Sequence, residues 1–380
     1  MARVHLFNPE NDLALAQGSS NYTAPPNAVA LHNAGEMLPM WYATDGDYII
    51  APNADAQWLR HVSQQFNLNI EIFNNSHQSN LTEACPWGWS HDARRQLIKA
   101  GVSDSILHND DTLNNLRRLS HRHTSLLVMQ QLQQRLPFSI PPLPIEALSP
   151  DEAVSYRNTH KGCFIKSPWS SSGRGVFDAS MLSSDELMRR ANGIIRRQGS
   201  VMCEVALNKV QDFAMLFYSN GQNVSFMGYS SFFTEHIGAY SGNIVAPDSE
   251  IKRQLSTMID PKHLDITSSV LSEILTEIIT PHYTGFLGVD MLIYRDSNNQ
   301  PCLAPCLEVN LRTTMGIVAW HLSNRFLAPG SLGKMKVEFK NSQTNLPTPV
   351  IYDHRLAEGT INLVPPNNNF SITFEATPQP

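Results

Sequence analysis

No run of apolar residues in this chain approaches the roughly 18–20 that a helix needs to cross a bilayer. The first dozen residues carry no secretory pattern, because Asn8-Pro9-Glu10-Asn11-Asp12 interrupts any apolar stretch. Cysteine is scarce and odd in number, five in 380 residues, which suits reduced thiols and a cytoplasmic location rather than a disulfide framework. The closest pair, Cys302 and Cys306, would lie about 13 Å apart on an extended segment, too far for a disulfide, and reads as free buried thiols. An excess of positive charge is missing as well. The net charge is −6, and the pairs Arg94-Arg95, Arg117-Arg118 and Arg189-Arg190 look like solvated helix faces. Neither nucleic acid nor membrane is therefore an expected partner. No Gly-x4-Gly-Lys-Ser/Thr loop, dinucleotide fingerprint, internal repeat or low-complexity tract occurs. What is present, 42% hydrophobic and 16% charged residues, fits a soluble globular protein with room for two or three domains.

The opening third alternates strands and helices. Arg3 to Phe7, Asp47 to Pro52 and Leu68 to Phe73 read as strands, and Asp55 to Phe66 as a helix. That order implies an α/β layer with a parallel sheet. Ligands bind where such strands end, so Glu10, Asn11 and Asp12 are candidate substrate contacts, with turn chemistry and helix capping the simpler reading. Thr112 to Leu136 has one long helical pattern, followed by four prolines between Pro137 and Pro144 that mark a boundary. Ser149-Pro150-Asp151-Glu152 starts another helix, with Ser149 as its cap. Strands at Ser200 to Leu207, Gln211 to Tyr218 and Asn223 to Ser231, the last two joined by an Asn220-Gly221 turn, form an antiparallel meander. Phe232 to Val245 has no clear period and is expected to be a mobile loop. His236, Tyr240 and Asn243 within it are candidates to face a substrate. Helices are expected at 264–280 and 316–327, and short strands at 335–339, 361–364 and 370–374.

Two stretches carry chemistry. In Leu307-Glu308-Val309-Asn310-Leu311-Arg312, strand alternation puts Glu308, Asn310 and Arg312 on one face, about 7 Å apart at each step. The preceding strand, Gly285 to Tyr294, is joined to it by a turn-like segment from Arg295 to Gln300, so the two should pair antiparallel. Asp290 then falls beside Glu308 and Asn310. Two carboxylates and an amide oxygen suit Mg²⁺; a polar sheet face in water is the alternative. The second stretch is the strand Cys163 to Lys166, running into Ser167-Pro168-Trp169-Ser170-Ser171-Ser172-Gly173-Arg174-Gly175. Small residues let backbone N–H groups approach an anion, and Lys166 and Arg174 can neutralise phosphate. A surface hairpin is the alternative there.

In this order the motifs resemble the ATP-grasp superfamily of carboxylate–amine ligases: Lys166 with the Ser/Gly loop, then Met202-Cys203-Glu204-Val205-Ala206-Leu207, Asp212, Asp290 and Glu308-Val309-Asn310. The likeness covers roughly residues 112–328. It implies an α/β and α+β chain, a pre-ATP-grasp α/β domain followed by a two-subdomain ATP-grasp fold. The expected divisions are the α/β domain at 1–115, a linking helix and Pro-rich connection at 116–144, and a small subdomain with phosphate loop and adenine hinge at 145–215. A large subdomain with the metal site follows at 216–330, and C-terminal strands at 331–380. It also implies ATP with Mg²⁺, or Mn²⁺, as cofactors, and small-molecule carboxylate and amine substrates, joined through an acyl phosphate. A homodimer is a common habit of such proteins. Lys166, Ser170, Ser171, Ser172, Gly173, Arg174, Glu204, Ala206, Leu207 and Asp212 would contact the nucleotide. Asp290, Glu308 and Asn310 would hold the metal, and Arg312, Lys166 and Arg174 would act on the transferring phosphate. The chain departs from the pattern at Ser120-His121-Arg122-His123, where relatives carry Asp-Lys; Arg122 is the candidate replacement for that lysine. A kinase, a carboxylate–thiol ligase and a nucleotide-binding module without chemistry are the alternatives on the same scaffold.

Overall fold

The computed structural model describes residues 2–160, 162–170, 175–234, 240–339, 346, 348–366 and 370–379. Among these, the first four strands are β1 (Ala2–Leu6), β2 (Tyr48–Ile50), β3 (Glu71–Ile72) and β4 (Leu81–Pro86). They form a parallel sheet in the order β3-β2-β1-β4. The helix Ala56–Phe66 buries Leu59, Val62 and Phe66, spaced at three and four residues, and the Asp55 carboxylate caps it by accepting from the Gln57 and Trp58 N–H groups. The third strand is shorter than expected. Asn67 turns left-handed at φ 51° and the Leu68 N–H returns to the Ser63 carbonyl, so Leu68 and Ile70 are buried without pairing.

A second sheet holds β5 (Ile145–Ala147), β6 (Cys163–Lys166), β7 (Val176–Asp178) and β8 (Val201–Val205), antiparallel in the order β5-β8-β6-β7. Helices Pro150–Thr159 and Ser184–Gln198 supply Ala153, Tyr156, Leu187 and Ala191 to its core. Ser149 caps the first of these through the Glu152 N–H, as its sequence suggests.

The third sheet has nine strands: β9 (Asn208–Asn220), β10 (Val224–Thr234), β11 (Tyr240–Val245), β12 (Thr284–Arg295), β13 (Pro301–Asn310), β14 (Ser331–Glu338), β15 (Val350–Tyr352), β16 (Arg355–Asn362) and β17 (Ser371–Pro378). Their order is β13-β12-β9-β10-β11-β14-β17-β16-β15. It runs without a break past residues 215 and 330, since β9 crosses the first position and β14 pairs with β11. The expected mobile loop at 232–245 is mostly strand: Phe232 pairs with Asn243 and Phe233 with Gly242. His236 lies outside the described residues. The helix Pro261–Ile279 covers the sheet through Leu264, Leu271, Ile274 and Leu275. The N-terminal unit shares a core with the C-terminal strands, where Trp41 packs against Phe66 and Phe326 and donates to the Leu363 carbonyl at 2.7 Å.

The single helix expected over 112–136 is two, Asp110–Leu119 and His123–Arg135. Between them the Arg122 N–H bonds to the Pro168 carbonyl at 3.1 Å, and its guanidinium is buried against the same loop. Tertiary hydrogen bonds at this one residue outweigh helix propagation.

Candidate active site

Strands β12 and β13 pair antiparallel with Asp290 directly opposite Glu308 and Gly288 opposite Asn310. Side chains opposite one another on a pair come within about 5.5 Å at Cβ. The Asn310 amide donates to Asp290 at 3.1 Å. Burial, and secondarily the charge of Glu308, pushes the Asp290 carboxyl up to about 7. Two acids forced together in this way fit a divalent cation, which would favour the charged form of both. The donors are all oxygens, as a hard cation requires. Among the described residues no cluster of three or more His, Cys, Asp or Glu offers another metal site.

Arg122 sits at the junction of two cavities and lines both. It is 7% exposed, donates to Glu308 and Ser170 Oγ at 2.8 Å each, and bonds the Ser167 carbonyl. The narrower cavity, about 220 Å³, lies between Pro141, Pro142 and Pro144 on one side and Lys166, Glu204 and Leu207 on the other. Lys166 and Glu204, on paired strands β6 and β8, form an ion pair there. Cys306 closes the floor as a free thiol that burial pushes up. Ala206 packs behind the hinge, where its N–H bonds the Gly162 carbonyl at 3.0 Å. Asp212 lies outside both cavity walls, paired with Lys209 at 2.7 Å.

The wider cavity, about 320 Å³, is lined by Asp290, Glu308, Asn310, Arg312 and Ser170 and also by Glu10, Leu31 and Phe232. Arg312 reaches the N-terminal unit: its Nε lies 3.0 and 3.1 Å from the Asp12 carboxylate oxygens, and its Nη2 lies 2.8 Å from Oδ2. The same Nη2 donates to Asn310 Oδ1 at 3.1 Å.

No family model matches the sequence, and no curated protein matches it. Solved structures do. The chain is similar to the biotin carboxylase of Campylobacter jejuni, solved as a β,γ-ATP complex, with a TM-score of 0.54 and 9% identity over 100% of this chain and 88% of that one. It is also similar to the biotin carboxylase domain dimer of the Hydrogenobacter thermophilus 2-oxoglutarate carboxylase, solved with MgADP, ADP and bicarbonate. That comparison has a TM-score of 0.53 and 12% identity over 100% of this chain and 86% of that one. The chain has the ATP-grasp fold.

On that fold, residues from four places in the sequence converge. Lys166, Glu204 and Leu207 line the narrower cavity, while Ser170, Asp290, Glu308, Asn310 and Arg312 line the wider one. Ser171, Ser172, Gly173 and Arg174 lie outside the described residues. At the loop's end, Gly175 has φ 76°, and a Cβ there would come within 2.6 Å of Ser167 Oγ, so only glycine fits. Tyr240 and Asn243, named for lying near an expected loop, line the wider cavity from β11. Sequence reasoning ranked Glu10 and Asp12 as turn residues, but neither carboxylate caps the helix Asn11–Gln17 that follows. Asp12 holds Arg312, and Glu10 accepts from Gln96 at 3.2 Å and lies 3.1 and 3.2 Å from His32 Nδ1. Their place after β1, at the carboxyl end of a parallel strand, was the available signal.

Proposed function

We propose that this chain is an ATP- and Mg²⁺-dependent ligase that joins a carboxylate to an amine. The observation that carries the reading is the facing pair Asp290 and Glu308, with Asn310, in the wider cavity, where Glu308 is paired with the Arg122 that lines both cavities. The likeness to enzymes solved with β,γ-ATP and with MgADP and bicarbonate supports it at the level of fold.

In this reading the narrower cavity takes the adenine, with Glu204, Ala206 and Leu207 along its edge. Lys166 and Arg122 face the phosphates, joined by the loop from Ser170 to Gly175. Asp290, Glu308 and Asn310 would hold Mg²⁺, which would supply Lewis-acid stabilisation of the charge that grows on the phosphate. A substrate carboxylate in the wider cavity attacks the γ-phosphorus, the bond to the bridging oxygen breaks, and ADP leaves. The amine nitrogen then attacks the acyl carbon, and phosphate departs. Such chemistry needs positioning and charge stabilisation more than a protein nucleophile. Arg312, fixed by Asp12 and Asn310, is aimed at the reacting end. The division at residues 115, 144, 215 and 330 belongs to the proposal, with one sheet continuing across the last two positions, as do a homodimer and a cytoplasmic setting. The dimeric neighbour supports the homodimer, and five free cysteines support the setting. Among the described residues no helix is long and apolar enough to cross a membrane.

The test is ADP release from Mg-ATP with a panel of carboxylic acids and amines. Release that requires both supports ligation. A stable phosphorylated product without an amine would make the chain a kinase instead.

A further inference from the structure

The structure assigns Glu10 and the apolar side chains that line the wider cavity with it to a cationic amine with a bulky apolar body; this assignment rests on the ligase reading and gives it a substrate class. Glu10 lies just before the helix Asn11–Gln17. Its carboxylate is 5% exposed and lines the cavity, yet among the described residues it has no lysine or arginine partner. Its neighbours are the His32 ring and the Gln96 amide, and Gln96 also donates to Asp92 at 2.7 Å. A carboxylate has about four lone-pair sites, so these contacts leave capacity for a further donor. A buried carboxylate without a full cationic partner is costly, and a substrate ammonium would complete it.

Apolar side chains from both structural units line the same cavity, together with the neutral polar Asn27, Thr234 and Tyr240. Phe7 extends from β1 and Leu31 from the helix Pro26–Gly35. Phe232, Val337 and Ile372 come from β10, β14 and β17. Such walls favour an aromatic or branched side chain of the size of phenylalanine. An anionic acceptor, such as a phosphorylated sugar, finds no cation here. The only described Lys or Arg residues lining the cavity are Arg122 and Arg312, and each is already paired with a carboxylate. The site is therefore unlike one built for bicarbonate, which is small and anionic.

Calorimetric titration of the full chain tests this without turnover. The probes are L-phenylalaninamide, its neutral N-acetyl form and ribose 5-phosphate. Expected is binding of L-phenylalaninamide, at least tenfold weaker binding of the acetylated form, and none of the phosphate. Glu10→Gln should abolish the preference for the cation, and Leu31→Trp, which takes up space in the wider cavity, should weaken L-phenylalaninamide while leaving nucleotide titrations unchanged. Equal binding of the neutral probe, preference for the phosphate, an unchanged preference in Glu10→Gln or no binding of L-phenylalaninamide at millimolar concentration would each overturn the assignment. Cation-selective binding without ADP release that depends on both acid and amine would sink the ligase reading alone. Such release with only anionic acceptors would sink this one alone.

Discussion

Removing the Asp12 carboxylate should cost both activity and stability, by similar free energies. Arg312 faces Asp12 with two nitrogens, at 2.8 to 3.1 Å, and the two side chains are 17% and 14% exposed. Breaking a buried pair by removing one partner costs roughly 3–5 kcal/mol. Two features reduce that here: the partial exposure, and the bonds Arg312 keeps to Asn310 and to the Thr313 carbonyl. A loss of about 2 kcal/mol is expected for Asp12→Ala. The units also stay joined by backbone, because the Thr313 N–H bonds the Trp87 carbonyl at 2.8 Å and Gly88 bridges to Arg312. Arg312, however, would be free to leave the reacting end. A tenfold to hundredfold fall in kcat, about 1.4–2.7 kcal/mol in the barrier, should follow with KM for ATP little changed. Steady-state ADP release gives the kinetic split. Urea unfolding followed by tryptophan fluorescence, with Trp87 beside the joint, gives the stability. Wild-type kcat in Asp12→Ala would refute the role given to Arg312. An equal rise in KM for ATP would place Arg312 in uniform binding of the nucleotide instead.

Asp290 sets a pH dependence. Its carboxyl is raised to about 7, so the metal-free fold binds a proton that the unfolded chain releases near the ordinary carboxylate range. This contribution to metal-free stability is present at low pH and lost as pH rises through about 7. Mg²⁺ must displace the same proton, so its affinity should rise about tenfold per pH unit below 7 and level off above 8; calorimetry in buffers of different ionisation enthalpy should show one proton released at pH 6, and Asp290→Asn should abolish that release together with turnover. Arg122→Lys keeps the charge but loses the fork that reaches Ser167, Ser170 and Glu308, so KM for ATP should rise about tenfold with folding retained, as circular dichroism would show. Lys166→Ala should weaken ATP binding in a nucleotide titration, and unchanged affinity would remove Lys166 from the phosphate site.

The facing of Asp290 and Glu308 was legible because it depends on one local rule. Alternation along 307–312, a turn at 295–300 and an acid at 290 suffice to place Asp290 opposite Glu308. The lysine strand and hinge were legible for a similar reason, being short, apolar and separated by a helix. What escaped depends on partners far away in sequence. Asp12 and Arg312 are 300 positions apart, and nothing local links them. The break at Arg122 is invisible in a helical pattern that continues on both sides, since its cause is the Ser167-Pro168 backbone. The pairing of β10 with β11 was hidden by a buried polar residue. Asn243 is fully buried, and its amide bonds Ser230 Oγ at 2.7 Å and the Ser231 carbonyl at 3.1 Å, so the expected alternation of apolar and polar residues is absent.

Three cations point at the proposed reaction, and each is held by a carboxylate from a different part of the chain. Lys166 is paired with Glu204 on β8, Arg122 with Glu308 on β13, and Arg312 with Asp12 beyond β1. These pairs are mostly shielded from water, so they are not the freely exchanging contacts of a protein surface. In the proposed reading a triphosphate would compete for Lys166 and Arg122, and success at Arg122 would strip Glu308 of its partner. Glu308 would then face Asp290 across the strand pair with no positive charge between them. That state is unfavourable unless a cation replaces the guanidinium. Conversely, a cation that takes up Glu308 frees Arg122 for phosphate. Nucleotide and metal therefore help each other through one side chain, and linkage requires that help to be equal in both directions. On this account the arginine at position 122 does what a lysine there would do less well: its fork holds the metal ligand and the phosphate-loop serine together until the nucleotide arrives.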